Sequence, residues 1–326
     1  MDLRVHLQNR LSDDVLEVLR ALIDPHVSLS VGSQVEDPDE VHILIDGRPT
    51  RERMVAFSAL EAVIIPFAGI PETTRELLVE FPQIRVHNLH HNATATAEYA
   101  IALLLAAAKF LLPIDRRFRN HDWTPRYQPN PSSLLEGKRV LILGYGEIGR
   151  RVARICSGFG PEICAVRRSI EEPEMDGDVE LYPVRSLHSL LQQANILMVC
   201  LPLTPETHGM IGVKELNVLP EDSIVVNVAR GDIIEEKALF EALSSKRLAS
   251  AGLDVWYQYP QREEDRSNTP PSKYPFHQLE NVVMSPHRAG MWNESERVRM
   301  EHLARLLNCA ARNEPMDHLV DIRRGY

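Results

Sequence analysis

Arg139-Val140-Leu141-Ile142-Leu143-Gly144-Tyr145-Gly146-Glu147-Ile148-Gly149 decides how this chain folds. An apolar run enters a glycine-rich turn, and Val152, Ala153, Ile155 and Cys156 then supply the inner face of an amphipathic helix. Strand, tight turn and helix in that order form a dinucleotide fingerprint. Gly144 permits the turn, Gly146 lets backbone approach a pyrophosphate, and Gly149 lets the helix lie close against the strand. The helix start aims free N–H groups and its positive dipole end at phosphate. Gly144, Gly146, Glu147, Ile148 and Gly149 are therefore candidate cofactor contacts. A second apolar run, Ile163-Cys164-Ala165-Val166, arrives where the next parallel strand belongs.

The alternation continues in both directions. Upstream, residues 41–45, 62–66 and 84–87 read as strands, with a helix opening at 71–78. Downstream, 196–201, 223–228, 249–255 and 282–287 read as strands, with helical patterns at 186–194, from 235 and at 294–308. Such alternation predicts an α/β chain built on parallel sheets. Ligands in these sheets bind beyond the carboxyl ends of the strands, so the turns at 67–69 and 88–92 are candidate ligand loops. Residues 94–110 form a helix apolar on nearly every face, which must be buried inside one subunit or between two. A polar, aromatic-spiked arm follows at 115–135, and 261–273 reads as an inserted loop.

A chain of 326 residues is long enough for two domains, each with its own core. Lys plus Arg number 36 against 46 Asp plus Glu, giving a net charge of −10 that argues against nucleic acid or an anionic membrane as partner. Cys156, Cys164, Cys200 and Cys309 lack metal or redox spacing; three of them sit in apolar strand or helix patterns and read as small core residues, and a reducing compartment is expected. The amino terminus lacks the apolar core of a signal peptide. The longest apolar run, 100–112, is interrupted by Lys109 and is shorter than the roughly 20 residues a bilayer span needs. A soluble, cytoplasmic protein is expected.

Several phrases fall in one order: FAGIPETT from Phe67, ATATAEYAIALLLA from Ala93, GYGEIGRR from Gly144, LPLTPETHGMIG from Leu201, VNVARGDIIEEKAL from Val226, AGLDV from Ala251, SPHRAG from Ser285 and VDIRRGY from Val320. In that order, across nearly the whole chain, they resemble the D-isomer-specific 2-hydroxyacid dehydrogenases, of the glyoxylate/hydroxypyruvate reductase kind. The resemblance implies two doubly wound, Rossmann- or flavodoxin-like parallel-sheet domains with a cleft between them. Residues 1–96 plus 297–326 would form the substrate domain and 97–296 the dinucleotide domain. It also implies a homodimer through the 94–112 helix and a small 2-keto or 2-hydroxy acid as substrate.

Reduction of a 2-keto acid needs a cationic fork for the carboxylate and a proton donor for the ketone oxygen. Arg230 follows one strand end, and its planar guanidinium suits a carboxylate and keto oxygen together. His287 follows another, and imidazole donates a proton near neutral pH. The family assigns these roles to the matching positions. Its usual glutamate, five residues after the Asp of GLDV, is Tyr259 here. A phenol can orient a histidine through one hydrogen bond but brings no negative charge near pH 7. The expectation is an acid-shifted optimum for reduction, with Glu263, Glu264 or Asp265 of the inserted loop as competing partners for His287. A catalytically impaired, dinucleotide-sensing binding protein of the corepressor kind is the alternative from another class, and formate or phosphite oxidation has no positive signal.

The acidic residue that bonds the NAD ribose hydroxyls should lie about 20 residues past the glycines. Arg167, Arg168 and Ser169 occupy that position, and two guanidiniums with a hydroxyl suit a 2′-phosphate. NADP(H) is therefore expected over NAD(H). The resemblance adds Leu201, Pro202 and Thr207 under the adenine ribose, Val228 and Ala229 at the nicotinamide ribose, Asp254 at the carboxamide, and Thr96 beside the nicotinamide. Backbone N–H groups of Ala68 and Gly69 would complete the carboxylate site. His87, His90 and His91 lack a Cys or carboxylate at ligand spacing, so no metal is expected and a pocket-lining role is the better reading. Met291 and Trp292 either close over the substrate or pack.

Overall fold

A computed structural model describes residues 2–129 and 131–325. The chain divides into two compact units, Met1–Asn92 with Met291–Tyr326, and Ala93–Gly290. Both switches fall just before a helix begins, a few residues ahead of the 97 and 297 expected from sequence, so neither helix is split.

In the first unit, β1 (Leu3–Leu7), β2 (Val27–Val31), β3 (Ile43–Ile45), β4 (Ala62–Ile65) and β5 (Arg85–Asn88) form a parallel sheet in the order β2-β1-β3-β4-β5. Both faces are apolar, as the period of two along a strand requires when helices cover each side. Ala62 and Ile64 of β4 join one core with Leu16, Leu19, Leu303 and Leu307, contributed by α1 (Asp13–Leu22) and the chain's closing helix, Ser295–Ala311. Val63 and Ile65 join the opposite core with Met54, Phe57 and Leu78, from α2 (Arg51–Ala56), the turn after it and α3 (Glu72–Val79). β1 and β2 were not expected from sequence, although Leu3-Arg4-Val5-His6-Leu7 and Val27-Ser28-Leu29-Ser30-Val31 each alternate apolar and polar residues with a strand's period of two; His6 is nonetheless buried, with Nδ1 2.9 Å from Ser30 Oγ.

The second unit begins with α4 (Ala93–Ala108) and α5 (Leu111–Arg119). Its sheet contains β6 (Arg139–Leu143), β7 (Glu162–Val166), β8 (Glu174–Asp176), β9 (Val179–Tyr182), β10 (Ile196–Val199), β11 (Ser223–Asn227), β12 (Leu248–Leu253) and β13 (Val282–Met284). The order is β13-β12-β11-β10-β6-β7-β9-β8, parallel throughout except for the edge pairing of β8 with β9. Successive crossovers therefore reverse direction between β6 and β10, and ligands bind beyond the carboxyl ends at such a switch point. The glycine-rich turn lies at the end of β6.

This sheet too is covered on both faces. Val140 and Ile142 of β6 pack with α4 and α6 (Glu147–Ser157), whereas Leu141 and Leu143 face the core of α7 (Leu187–Leu191), α8 (Val213–Val218) and α9 (Glu236–Ser244). The apolar helix expected at 94–110 proves to be a core helix of this unit. Ala100, Leu104 and Ala107 are buried, and Gly252 of β12 admits Leu103 where a Cβ would stand 2.8 Å from its side chain. β10 ends at Val199, two residues earlier than expected: Cys200 N still donates to Leu143 O, and Pro202 then lacks the N–H to continue. The β8–β9 hairpin was not foreseen, because Glu174, Met175 and Asp176 are all exposed and carry no core pattern. No single helix among the described residues is long and apolar enough to cross a membrane.

Candidate active site

The glycine turn has the geometry its spacing requires. Gly144 has φ +95°, and a Cβ there would lie 2.8 Å from the Leu201 backbone. A Cβ on Gly149 would stand 2.0 Å from Gly144 O, so only glycine lets α6 lie this close. At Gly146 the Cβ direction opens onto empty space, and α6 begins there without a side-chain cap. That combination fits a pyrophosphate approaching uncapped N–H groups at the helix start. Glu147 places a carboxylate in this first turn, where Arg151 Nη1 compensates it at 2.6 Å. Ile148, in the same turn, packs against the α4–α6 core.

Arg230 lies three residues past the end of β11. Asn227, the last residue of that strand and 1 % exposed, clamps the turn: its Oδ1 accepts from Ala229 N at 3.0 Å and its Nδ2 donates to Arg230 O at 2.9 Å. Val228 and Ala229 are buried beside it, and the Ala229 N–H is thereby already engaged. Arg230 Nη1 donates to Ala229 O at 2.7 Å, and among the described residues no carboxylate pairs with the guanidinium. Burial lowers its pKa, yet a guanidinium remains charged at neutral pH. A close-packed cation whose charge no carboxylate among the described residues balances, placed at a strand end, has the chemistry to receive an anion.

His287 follows β13, one strand beyond β12, and has φ +58° in the left-handed region. Asp254, at the end of β12 and fully buried, holds its loop. Asp254 Oδ1 accepts from Ser285 Oγ at 2.5 Å and Arg288 N at 2.8 Å, and Oδ2 accepts from Ala289 N at 2.9 Å. Trp256 Nε1 donates to Ser285 O at 2.7 Å, and Tyr99 OH lies 2.9 Å from Ser285 Oγ. The strain of the left-handed residue is thus met by a saturated clamp. Although His287 is exposed by surface area, surrounding protein removes enough water from the imidazole to lower its pKa; the Arg230 charge lowers it further, and Asp254 opposes both.

Tyr259 does not hydrogen-bond to that imidazole. Its oxygen accepts from Trp256 N at 3.1 Å, and its ring meets the His287 ring at 5.6 Å and 57°. The short span from Trp256 to Tyr259 turns the hydroxyl back onto its own loop. Burial raises the phenol's pKa, so it stays neutral. The loop acids are engaged elsewhere: Glu263 pairs with Arg266, and Glu264 and Asp265 with Arg262. They are not brought to His287.

Arg167, Arg168 and Ser169 follow β7 at the turn expected for the adenine ribose, beside the Gly144–Gly146 turn at the end of β6. Leu201 packs under Gly144. Thr207 Oγ1 donates to Pro202 O at 2.7 Å and accepts from Thr204 N at 2.8 Å, so this hydroxyl shapes the loop after β10. Thr96 is buried on α4. In the first unit, Ala68 and Gly69 form the turn after β4, which Asn88 Nδ2 secures by donating to Ala68 O at 2.7 Å. His87 Nδ1 contacts Asp317 O at 2.9 Å, His90 lies against His318, and His91 lies against Trp292. Burial and the Arg299 charge hold the His91 pKa down at about 4. These rings diverge, and among the described residues no group of His, Cys, Asp or Glu could hold a metal. Asn227, Ser285, Tyr99 and Trp256 escaped sequence reading; only Asn227, a polar residue closing an apolar strand, carried a local signal.

Residues 101–289 match the family profile described as D-isomer specific 2-hydroxyacid dehydrogenase, NAD binding domain. A glyoxylate reductase of Korarchaeum cryptofilum is 36 % identical over 231 residues, 69 % of this chain and 65 % of that protein. The matched stretch thus spans just under two thirds of that relative's own length. A D-isomer specific 2-hydroxyacid dehydrogenase from Xanthobacter autotrophicus, solved with NADPH and MES, superposes with a TM-score of 0.82 at 24 % identity over the full length of both chains. An NADPH-dependent glyoxylate/hydroxypyruvate reductase from Sinorhizobium meliloti, solved with NADP and sulfate, gives 0.80 at 20 % identity over 99 % of this chain and 100 % of that one. The chain belongs to the D-isomer specific 2-hydroxyacid dehydrogenase family.

Proposed function

We propose that this protein reduces a small 2-keto acid, of the size of glyoxylate or hydroxypyruvate, to the D-2-hydroxy acid, using NADPH in preference to NADH. The observation that carries the reading is Arg230: a charged guanidinium with no carboxylate partner among the described residues, at the same carboxyl end of the sheet as the glycine turn and His287. Its fork binds the substrate carboxylate and keto oxygen. The dinucleotide, held at Gly144–Gly149 and at Arg167–Ser169, supplies the hydride when bound. His287 donates the proton to the oxygen that becomes the hydroxyl. The Sinorhizobium and Korarchaeum relatives support the substrate class by name, and the absence of an acid directly after β7 supports the cofactor preference. Steady-state turnover of glyoxylate and hydroxypyruvate with each cofactor tests both parts. No turnover with either cofactor removes the enzyme reading, and a higher kcat/KM with NADH removes the preference.

Proton donation requires protonated His287, whose pKa lies below the ordinary 6.5. Reduction therefore weakens as pH rises through that lowered value, and the optimum lies on the acid side. Tyr259→Glu places a carboxylate near the imidazole, and an opposite charge within 4–6 Å raises the pKa by about one unit or more. The pH–rate limb is expected to move toward alkaline by about that amount. An unmoved limb means that residue 259 does not act on His287.

A homodimer is proposed through the segment that ends the 94–112 stretch and the surface just beyond it, since α4 itself is mostly buried within the unit. Leu111, Leu112, Phe118, Trp123, Tyr127 and Leu134 are all exposed there, Tyr127 by 79 %. The Phe118 and Trp123 rings meet at 4.8 Å, and exposed apolar surface concentrated in one segment marks association. Light scattering is expected to give a dimer mass that Phe118→Glu with Trp123→Glu reduces to a monomer; an unchanged mass rejects this surface.

A further inference from the structure

Each of the two arginines after β7 already has an acid beside it. Arg167 Nη1 lies 3.7 Å from Glu174 Oε1, at the start of β8, and Arg168 Nη1 lies 3.7 Å from Glu206 Oε2, in the loop after β10. The acids come from different elements, one on each side of the turn, and both are positioned. Asp176, in the same strand as Glu174, accepts from Tyr145 OH at 3.0 Å and so pins the β8–β9 hairpin to the glycine turn. Thr204 Oγ1 donates to Glu206 Oε2 at 3.3 Å.

We propose that Glu174 and Glu206 are the residues that set how strongly this site discriminates NADPH from NADH. This deepens the cofactor reading above and rests on it. Without ligand, two guanidiniums and two carboxylates leave the turn neutral. A 2′-phosphate brings a charge of about −1.5 to −2, as phosphate monoesters do near neutral pH. It must draw both arginines away from their acids, which are then left as uncompensated like charges nearby. The ribose hydroxyls of NADH make no such demand and find acceptors in the same two carboxylates, which replace the acid missing after β7. The arginines pull toward the phosphate and the acids flatten the preference. The pairs are loose and exposed, so the effect on discrimination outweighs any effect on stability.

The experiment compares kcat/KM for NADPH and NADH in wild type, Glu174→Gln, Glu206→Gln and the double variant. Both cofactors are measured on each preparation, so partial misfolding cancels in the ratio. Each single change is expected to raise the NADPH:NADH ratio about threefold and the double change about tenfold, the size of modest exposed charge effects, with the gain shrinking as salt screens it. In direct titration, adenosine 2′,5′-bisphosphate is expected to bind the double variant more tightly than wild type, while adenosine 5′-monophosphate does not. A ratio and a bisphosphate affinity both unchanged in the double variant overturn the proposal. Failure of the underlying reading looks different: wild type itself prefers NADH, and Arg167→Gln with Arg168→Gln leaves the ratio where it was.

Discussion

Arg230→Gln is expected to lower kcat/KM for a 2-keto acid about a thousandfold, because truncating one member of a desolvated charge pair costs about 2–5 kcal/mol and each 1.36 kcal/mol is tenfold. The same change should leave the thermal midpoint unchanged or raise it. In the free protein the guanidinium is close-packed, donates to Ala229 O and has no carboxylate partner among the described residues, so removing its charge relieves a desolvation penalty. Lysine should not rescue, since a point charge cannot reproduce a planar fork. With cofactor already saturating, the keto-acid analogue oxamate should further stabilise wild type by mass action and add nothing to the variant's midpoint. Wild-type-like turnover in Arg230→Gln would remove this residue from the site.

Asp254→Asn is expected to cost about 2–4 kcal/mol of stability in the second unit, because three donors converge on a buried carboxylate and an amide must turn an N–H toward at least one of them. The loop it holds carries His287 in the left-handed region, so kcat should fall about a hundredfold, the scale of losing a positioned acid catalyst. Asp254 is a positioning residue by this account, and pH distinguishes it from a merely structural one. Its charge raises the His287 pKa against burial and Arg230. With that charge gone, the reductive limb should shift further toward acid in whatever fraction folds. Ser285→Ala, which removes one of the three bonds and no charge, should cost about 0.5–1.5 kcal/mol and leave the limb in place. A folded Asp254→Asn protein with an unshifted limb and full kcat would show that the loop holds itself.

Much of this was legible before any coordinate. The both-faces-apolar pattern of residues 62–65 and 139–143 demands covered parallel strands, and the glycine spacing at 144, 146 and 149 leaves little choice of turn. Arg230 and His287 stood out as candidates because each follows an apolar strand, where open parallel sheets carry their ligand groups. β8 was missed for the converse reason: Glu174, Met175 and Asp176 present no apolar face, which an edge strand tolerates, whereas β1 and β2 do alternate apolar and polar residues but over only five residues each, too short a run to stand out.

The sequence by itself determined the two parallel sheets, the dinucleotide turn and the family, because these rest on local periodicity and on short motifs whose parts are neighbours in the chain. Only the tertiary structure decided what those motif residues bond to. Tyr259 turns its oxygen to Trp256 N, Asp254 spends its carboxylate on a loop more than thirty residues away, and Glu174 and Glu206 arrive at Arg167 and Arg168 from opposite sides. Hydrogen-bond partners and counter-charges are chosen by which elements the sheet order sets side by side, and that choice has no periodicity for a linear reading to detect.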